Sequence, residues 1–90
     1  MKSCVICEMV VSSSISADEL EQVLKAELPK IGQTDRQILG GPRYNGISSI
    51  GNGTMTLSVS AECNEEDYFY VRDKLNSSMQ RIFREHGFEL

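Results

Sequence analysis

The sequence predicts a small α+β domain in which the elements follow the order β-α-β-β-α-β, and three stretches carry that prediction. Residues 54–62 alternate strictly between apolar and polar side chains, which is typical of a strand with one face on a core. Two other stretches, residues 20–31 and 68–86, place apolar side chains three or four positions apart. That spacing gives a helix one apolar stripe to bury. A helix therefore precedes the alternating strand, and a second helix follows it.

The first strand is predicted over residues 4–12, where Val5, Ile6, Val10 and Val11 supply β-branched side chains. These residues are apolar on both faces over much of the stretch. Such a pattern is typical of a central strand covered on both sides. We therefore expect residues 4–12 to lie inside the sheet.

The first helix is predicted over Ser16–Leu28. Ser16 and Glu19 form a capping box, in which each side chain accepts from a backbone amide of the first turn. Pro29 and Gly32 are expected to end the helix, because proline removes a helical hydrogen bond and glycine favours a helix terminus.

The middle of the chain is predicted to form a β-hairpin. Gly40-Gly41-Pro42 is a strong loop signal, and residues 43–50 then form a weak strand. Asn52-Gly53 is the preferred pair for a two-residue hairpin turn with positive φ at both positions. The alternating strand of residues 54–62 follows that turn.

The second helix is predicted over Glu65–His86, with Asn64 as its N-cap and Gly87 at its C-terminal end. Phe88-Glu89-Leu90 begins to alternate again, as the start of a last, truncated strand. This order fits a ferredoxin-like sandwich: an antiparallel sheet in order 4-1-3-2 with both helices on one face. The expected inward-facing residues are Leu20, Val23, Leu24, Met55, Leu57, Val59, Val71, Leu75, Met79 and Ile82.

Composition excludes several functional classes. Ninety residues make a single domain, residues 1–90, and its net charge of −4 comes from acids and bases mixed along the chain. Nucleic acids and anionic lipids both require clustered Lys and Arg, so neither is an expected partner. No apolar run reaches the ~18–20 residues that span a bilayer. Three cysteines are too few for a disulfide framework, which favours a reducing, cytosolic setting.

The cysteines invite a metal-site hypothesis, which their positions disfavour. Cys4 and Cys7 form a C-x-x-C pair, but three-residue spacing on a strand points the two thiols to opposite faces. Cys63 should lie near them on the neighbouring strand, although structural zinc usually takes four ligands. The one histidine, His86, is predicted roughly 30 Å away along a helix. We therefore predict no metal site and expect the cysteines to act as small hydrophobes.

No other motif predicts a catalytic or cofactor site. His86 has no patterned nucleophile or orienting partner beside it, and neither glycine-rich turn resembles a phosphate loop. Glu65-Glu66-Asp67 suits a helix N-terminus better than a calcium loop. Tyr68 is expected in the core, whereas Phe69 and Tyr70 are expected to be partly exposed and free to contact another domain. The predicted catalytic, cofactor-binding and metal-binding sets are all empty.

The stretch from Pro42 to Leu90 resembles the cytosolic α/β domain of small-conductance mechanosensitive channels, the MscS family. Ile50-Gly51-Asn52-Gly53-Thr54 and the strand after it are similar to that family's turn into an alternating strand. Asp67-Tyr68-Phe69-Tyr70-Val71-Arg72 resembles its helix entry, and His86-Gly87-Phe88-Glu89-Leu90 its exit through glycine into a final strand. The first half of the chain fits the family in element order and spacing.

The resemblance implies a non-enzymatic piece of a larger membrane protein. That protein would be a homoheptameric channel that opens under membrane tension and passes ions and small solutes, with this domain in its vestibule on the cytoplasmic face. No single residue would gate or conduct, so no site residues and no cofactor are carried over. The ninety residues alone are expected to form a monomer or weak dimer.

Two alternatives share the element order. An ACT-like regulatory domain would bind a small molecule in a glycine-containing loop before the first helix, but that loop here is Ser12–Ser16, without glycine. A ferredoxin-like metallochaperone is the second alternative, and it would use the cysteines.

Overall fold

A computed structural model of the chain describes residues 1–88 and contains three strands and two α-helices. The elements are β1 (Lys2–Ser12), α1 (Ala17–Thr34), β2 (Gly40–Gly51), β3 (Thr54–Asn64) and α2 (Tyr68–Glu85), with a 3₁₀ turn at Glu65–Asp67. The chain is therefore a small α+β domain, and the predicted order of these five elements is confirmed. The predicted last strand begins at Phe88, but its other two residues lie outside the described part of the chain.

The three strands form one antiparallel sheet in the order β1-β3-β2. β3 pairs with β1 without a break, from Thr54 opposite Ser12 to Asn64 opposite Lys2. Its pairing with β2 contains three register shifts. The alternating strand predicted from the sequence is thus the centre of the described sheet.

β2 begins earlier than predicted, because Gly40-Gly41-Pro42 belongs to the strand rather than to a loop. The Leu39 amide donates to the Glu62 carbonyl oxygen at 2.7 Å, and Gly40 lies opposite Glu62. A register shift between Gly40 and Arg43 takes up the extra residues. A bulge of this kind tolerates a proline, which has no amide to donate, and a positive-φ glycine.

α1 starts as predicted but ends six residues later. The Glu19 amide donates to the Ser16 hydroxyl at 3.3 Å, which confirms the cap. Pro29 lies inside the helix rather than at its end. The added turn buries Ile31, and the Asp35 amide closes it by donating to the Ile31 carbonyl oxygen at 3.1 Å. Tertiary packing therefore outweighs the local breaking signals.

The second helix is shorter than predicted at its N-terminus. Residues 65–67 form a single 3₁₀ turn, and Asn64 makes no capping hydrogen bond with its side chain. The Glu65 amide instead donates to the Met1 carbonyl oxygen at 2.9 Å, so the strand pairing satisfies a donor that the cap was expected to satisfy. At the other end Gly87 has φ +71°, as a helix terminus of this kind requires.

One hydrophobic core draws on both helices and on one alternating set of strand residues. Nine of the ten predicted inward-facing residues are buried, and Val23 is partly buried against them. The buried residues of β1 are Val5, Cys7 and Val11, and those of β3 are Met55, Leu57, Val59, Ala61 and Cys63. Neither helix between residues 1 and 88 combines the length and the apolar character needed to cross a membrane.

Candidate functional site

The cysteines lie as their spacing predicted. Cys4 is exposed, whereas Cys7 and Cys63 are buried, so the two thiols of the C-x-x-C pair lie on opposite faces of β1. Cys63 lies opposite Ser3, next to Cys4 along the sheet. The Cys7 thiol donates to Asn76 Oδ1 at 2.7 Å, and burial raises the pKa of both Cys7 and Cys63. Within residues 1–88 no three His, Cys, Asp or Glu side chains come together as a metal site.

His86 connects the two helices. Its Nε2 atom lies 3.6 Å from Glu27 Oε1, and its ring stacks on Phe88 with 6.1 Å between centroids. The first contact joins the end of α2 to α1, and the second lies within the residues that follow α2. The histidine therefore marks a helix–helix contact.

The loop between β1 and α1 is tied to the hairpin turn. The Ser13 amide donates to the Gly53 carbonyl oxygen at 2.9 Å, and the Ser14 amide donates to the Ser12 hydroxyl at 3.2 Å. Asn52 and Gly53 have φ values of +52° and +76°, which confirms the predicted turn geometry. One of these contacts ties the loop to the hairpin turn, and the other lies within the loop.

The three aromatic residues at the start of α2 have different environments. Tyr68 packs against the core, whereas Phe69 is exposed, with the Arg72 guanidinium 5.0 Å from its ring centroid. Tyr70 is about half exposed, and its hydroxyl donates to Asp35 Oδ2 at 2.8 Å. That hydrogen bond raises the pKa of Tyr70. The predicted exposure of Phe69 and Tyr70 is confirmed.

The outward-facing side of β1 carries two exposed aliphatic side chains. We call the residues Cys4, Ile6, Glu8 and Val10 the β1 strip. Ile6 is 62% exposed and Val10 is 58% exposed. The prediction that β1 is covered on both sides is therefore wrong for the described residues: only the face of Val5, Cys7 and Val11 is buried.

The rest of this face is polar and linked by hydrogen bonds. Arg43 Nη2 lies 2.9 Å from Glu62 Oε1, and this contact lowers the pKa of Glu62. Asn45 Nδ2 donates to the Ser60 hydroxyl at 3.0 Å. The exposed apolar side chains of the face are thus concentrated on β1, beside a polar surface.

β1 also has a free edge within the described part of the chain. Its only partner there is β3, so no strand within residues 1–88 pairs with the opposite edge. A free edge beside exposed β-branched side chains suits contact with another protein surface or strand. The sequence identified these residues through their apolar character but could not show that one face is uncovered.

Comparison with known proteins does not assign this chain to a family. No protein-family model matches this chain, and no curated protein sequence matches it. A functional assignment therefore rests on the β1 strip, the fold and the resemblance between sequence motifs.

Proposed function

We propose that this chain is a non-enzymatic assembly domain on the cytoplasmic face of a mechanosensitive ion channel of the small-conductance type. The parent protein is an integral membrane homoheptamer that opens under bilayer tension and passes ions and small solutes during osmotic stress. This domain forms part of the vestibule wall. Its partners are the other subunits of the same channel.

The fold supports this proposal. The strand order β1-β3-β2 is that of a ferredoxin-like sheet in order 4-1-3-2 without its last strand. In such a sandwich the helices lie on one face, and the last strand runs beside β1. A core shared by both helices and one alternating set of strand residues is consistent with that arrangement.

The β1 strip is the observation that carries the assembly role. Fully burying an aliphatic side chain stabilises a protein by about 1.5–3 kcal/mol, so leaving Ile6 and Val10 in water forgoes a substantial gain. A neighbouring subunit or segment of the parent that covers the strip recovers it. A contact of this size is weak by itself, but tethering through shared membrane helices raises the effective concentration of the two surfaces.

The test introduces Ile6→Asp into the full-length parent protein and measures its oligomeric state after extraction into detergent. We expect the heptamer to be lost or destabilised, because the new carboxylate would have to be buried without a partner. Survival of channel-deficient cells after hypo-osmotic shock should fall with it. Ile50→Asp is the matched control, since Ile50 is 73% exposed and lies outside the β1 strip.

An intact, functional heptamer carrying Ile6→Asp would show that the β1 strip is not an assembly surface. The sequence of the parent gene tests separately whether the parent protein is a membrane channel. The parent gene should encode apolar spans of ~20 residues upstream of this domain. A parent that lacks such spans would overturn the channel proposal.

A further inference from the structure

The two helices enclose a cleft between two polar contacts. At one end Glu27 meets His86, and at the other the Tyr70 hydroxyl donates to Asp35. Asp35, the residue after α1, lies eight positions beyond Glu27, which corresponds to ~12 Å along the helix axis. Between these contacts lies a cleft of about 470 Å³, which is within the size range of small-molecule sites.

The cleft is basic although the chain is acidic. Lys30, Lys74, Arg81 and Arg84 line it together with a single carboxylate, Glu27. Four cations against one carboxylate leave a charge of +3 on the lining of a chain with net charge −4. Four of the chain's nine Lys and Arg residues thus line this one cleft.

Two of the four cations have no ion-pair partner among the described residues. Lys30 pairs with Glu27 at 3.5 Å, and Arg81 pairs with Glu85 at 3.2 Å. Lys74 and Arg84 form no ion pair with any residue in the range 1–88. Among the described residues, a bound anion would therefore displace no carboxylate from either cation.

A hydroxyl group on the cleft wall supplies a further donor. Ser78 is 4% exposed, and its side chain makes no hydrogen bond to another described residue. Ser78 belongs to the lining of the cleft, together with Ser77. A serine hydroxyl on the lining of a basic cleft is suited to donate a hydrogen bond to an anion.

We propose that this cleft binds a small multivalent anion that carries linked phosphate groups. Arg84 can donate two parallel hydrogen bonds to phosphate oxygens, while Lys74 contributes a compact charge. Lys74 and Arg84 lie ten positions apart on α2, ~15 Å along its axis, so a chain of linked phosphates is better suited than a single phosphate to contact both long side chains. The inference stands on the cleft alone and does not rest on the channel proposal.

The test is calorimetric titration of the full ninety-residue chain with sodium tripolyphosphate at low ionic strength. The variant Lys74→Gln/Arg84→Gln removes the two cations of the cleft that have no ion-pair partner among the described residues. The control Lys2→Gln/Lys25→Gln removes the same charge from residues outside the cleft lining. We expect Kd to rise about tenfold or more for the cleft variant and by less than about twofold for the control. Melting temperatures without ligand establish that both variants fold.

Inorganic phosphate provides a second arm. If the site spans several phosphate groups, inorganic phosphate should bind at least about tenfold more weakly than tripolyphosphate, because it cannot reach both cations. Equal weakening in the two double variants would show diffuse attraction to the whole surface and overturn the proposal. The absence of binding at millimolar tripolyphosphate would overturn it as well.

Discussion

At the residue scale, Asp35 links three parts of the structure. Its carboxylate is buried and accepts from the Tyr70 hydroxyl at 2.8 Å and from the Gln37 amide at 3.1 Å. Its own amide donates to the Ile31 carbonyl oxygen at the end of α1. The backbone of Asp35 thus closes the end of α1, and its side chain holds the following loop and the first turn of α2.

Replacing this residue should therefore destabilise the domain. We expect Asp35→Ala to lower the free energy of unfolding by about 1–3 kcal/mol, because a hydroxyl and a loop amide lose their acceptor. Urea denaturation measures the change. Asp73→Ala is the control: Asp73 is exposed beside Arg72, and its loss should change stability by no more than about 0.5 kcal/mol. Equal effects of the two substitutions would contradict the role assigned to Asp35.

The contact between Asp35 and Tyr70 could not be predicted from the sequence. The residue belongs to no motif, and its partner Tyr70 lies 35 positions away. The sequence predicted that Tyr70 is partly exposed, because Tyr70 falls outside the apolar stripe of α2. It could not predict the acceptor, because the acceptor depends on where the end of α1 lies in space.

At the scale of elements, α1 continues past two residues expected to stop it. Gly32 lies against the start of β2, and a Cβ atom added there would clash with the Gly41 carbonyl oxygen. The same added carbon would lie 3.3 Å from Pro42 Cδ. Glycine is thus needed for close approach between the helix and the strand, not for ending the helix.

The close approach of Gly32 to β2 determines whether Gly32→Ala raises or lowers the free energy of unfolding. Alanine is a better helix former than glycine by about 1 kcal/mol, so propensity alone makes Gly32→Ala stabilising. We expect it instead to lower the free energy of unfolding by about 1–3 kcal/mol, because backbone must move to admit the methyl group.

Thermal unfolding decides between the two signs. Gly51→Ala serves as control, since a Cβ there meets nothing within 4 Å, and its effect should be small. A rise in stability for Gly32→Ala would mean that the helix does not pack closely on Gly41.

Elements whose signal lies in their own residues were predictable. The alternation over residues 54–62 located β3, because one buried face imposes a period of two wherever the strand lies. β2 was harder: its register shifts break that period, and its bulge uses the glycines and proline that otherwise indicate a loop. A bulged strand and a loop can both contain Gly-Gly-Pro, and only the pairing with β3 shows that residues 40–42 belong to a strand.

At the scale of the whole molecule, one core holds the chain together while one sheet face stays open at the β1 strip. The strip is small, and it lies beside the polar surface formed by Arg43, Glu62, Asn45 and Ser60. Stable protein interfaces bury at least about 1,200 Å² in total. A strip of four residues does not reach that size, so its contacts need tethering in order to persist.

The isolated ninety-residue chain should therefore be a monomer or weak dimer. Light scattering at micromolar concentration measures its mass directly, against the 10.1 kDa of one chain. A stable heptamer from these residues alone would contradict the prediction and would place the assembly energy within this domain.

Neither the open face nor the basic cleft could be predicted from the sequence, and the reason is the same for both. Apolar residues on both faces of β1 indicate that each face can be covered, but not by what. The cleft brings Lys30 of α1 together with cations of α2 that lie more than forty positions later in the chain. Both surfaces are set by packing between elements, whereas the periodicity that predicted the elements is set within each of them.

Cys4 provides the most direct test of the central claim, that the β1 strip is covered when the domain is part of its parent protein. Cys4 belongs to the strip and is the exposed thiol, whereas Cys7 and Cys63 are buried with raised pKa values and should react slowly. The measurement compares the rate of maleimide labelling at Cys4 in the isolated chain with the rate in the full-length protein in membranes. We predict rapid labelling in the isolated chain and at least about tenfold slower labelling in the assembled protein. Equal rates at Cys4 would show that the strip stays open, and would contradict the account.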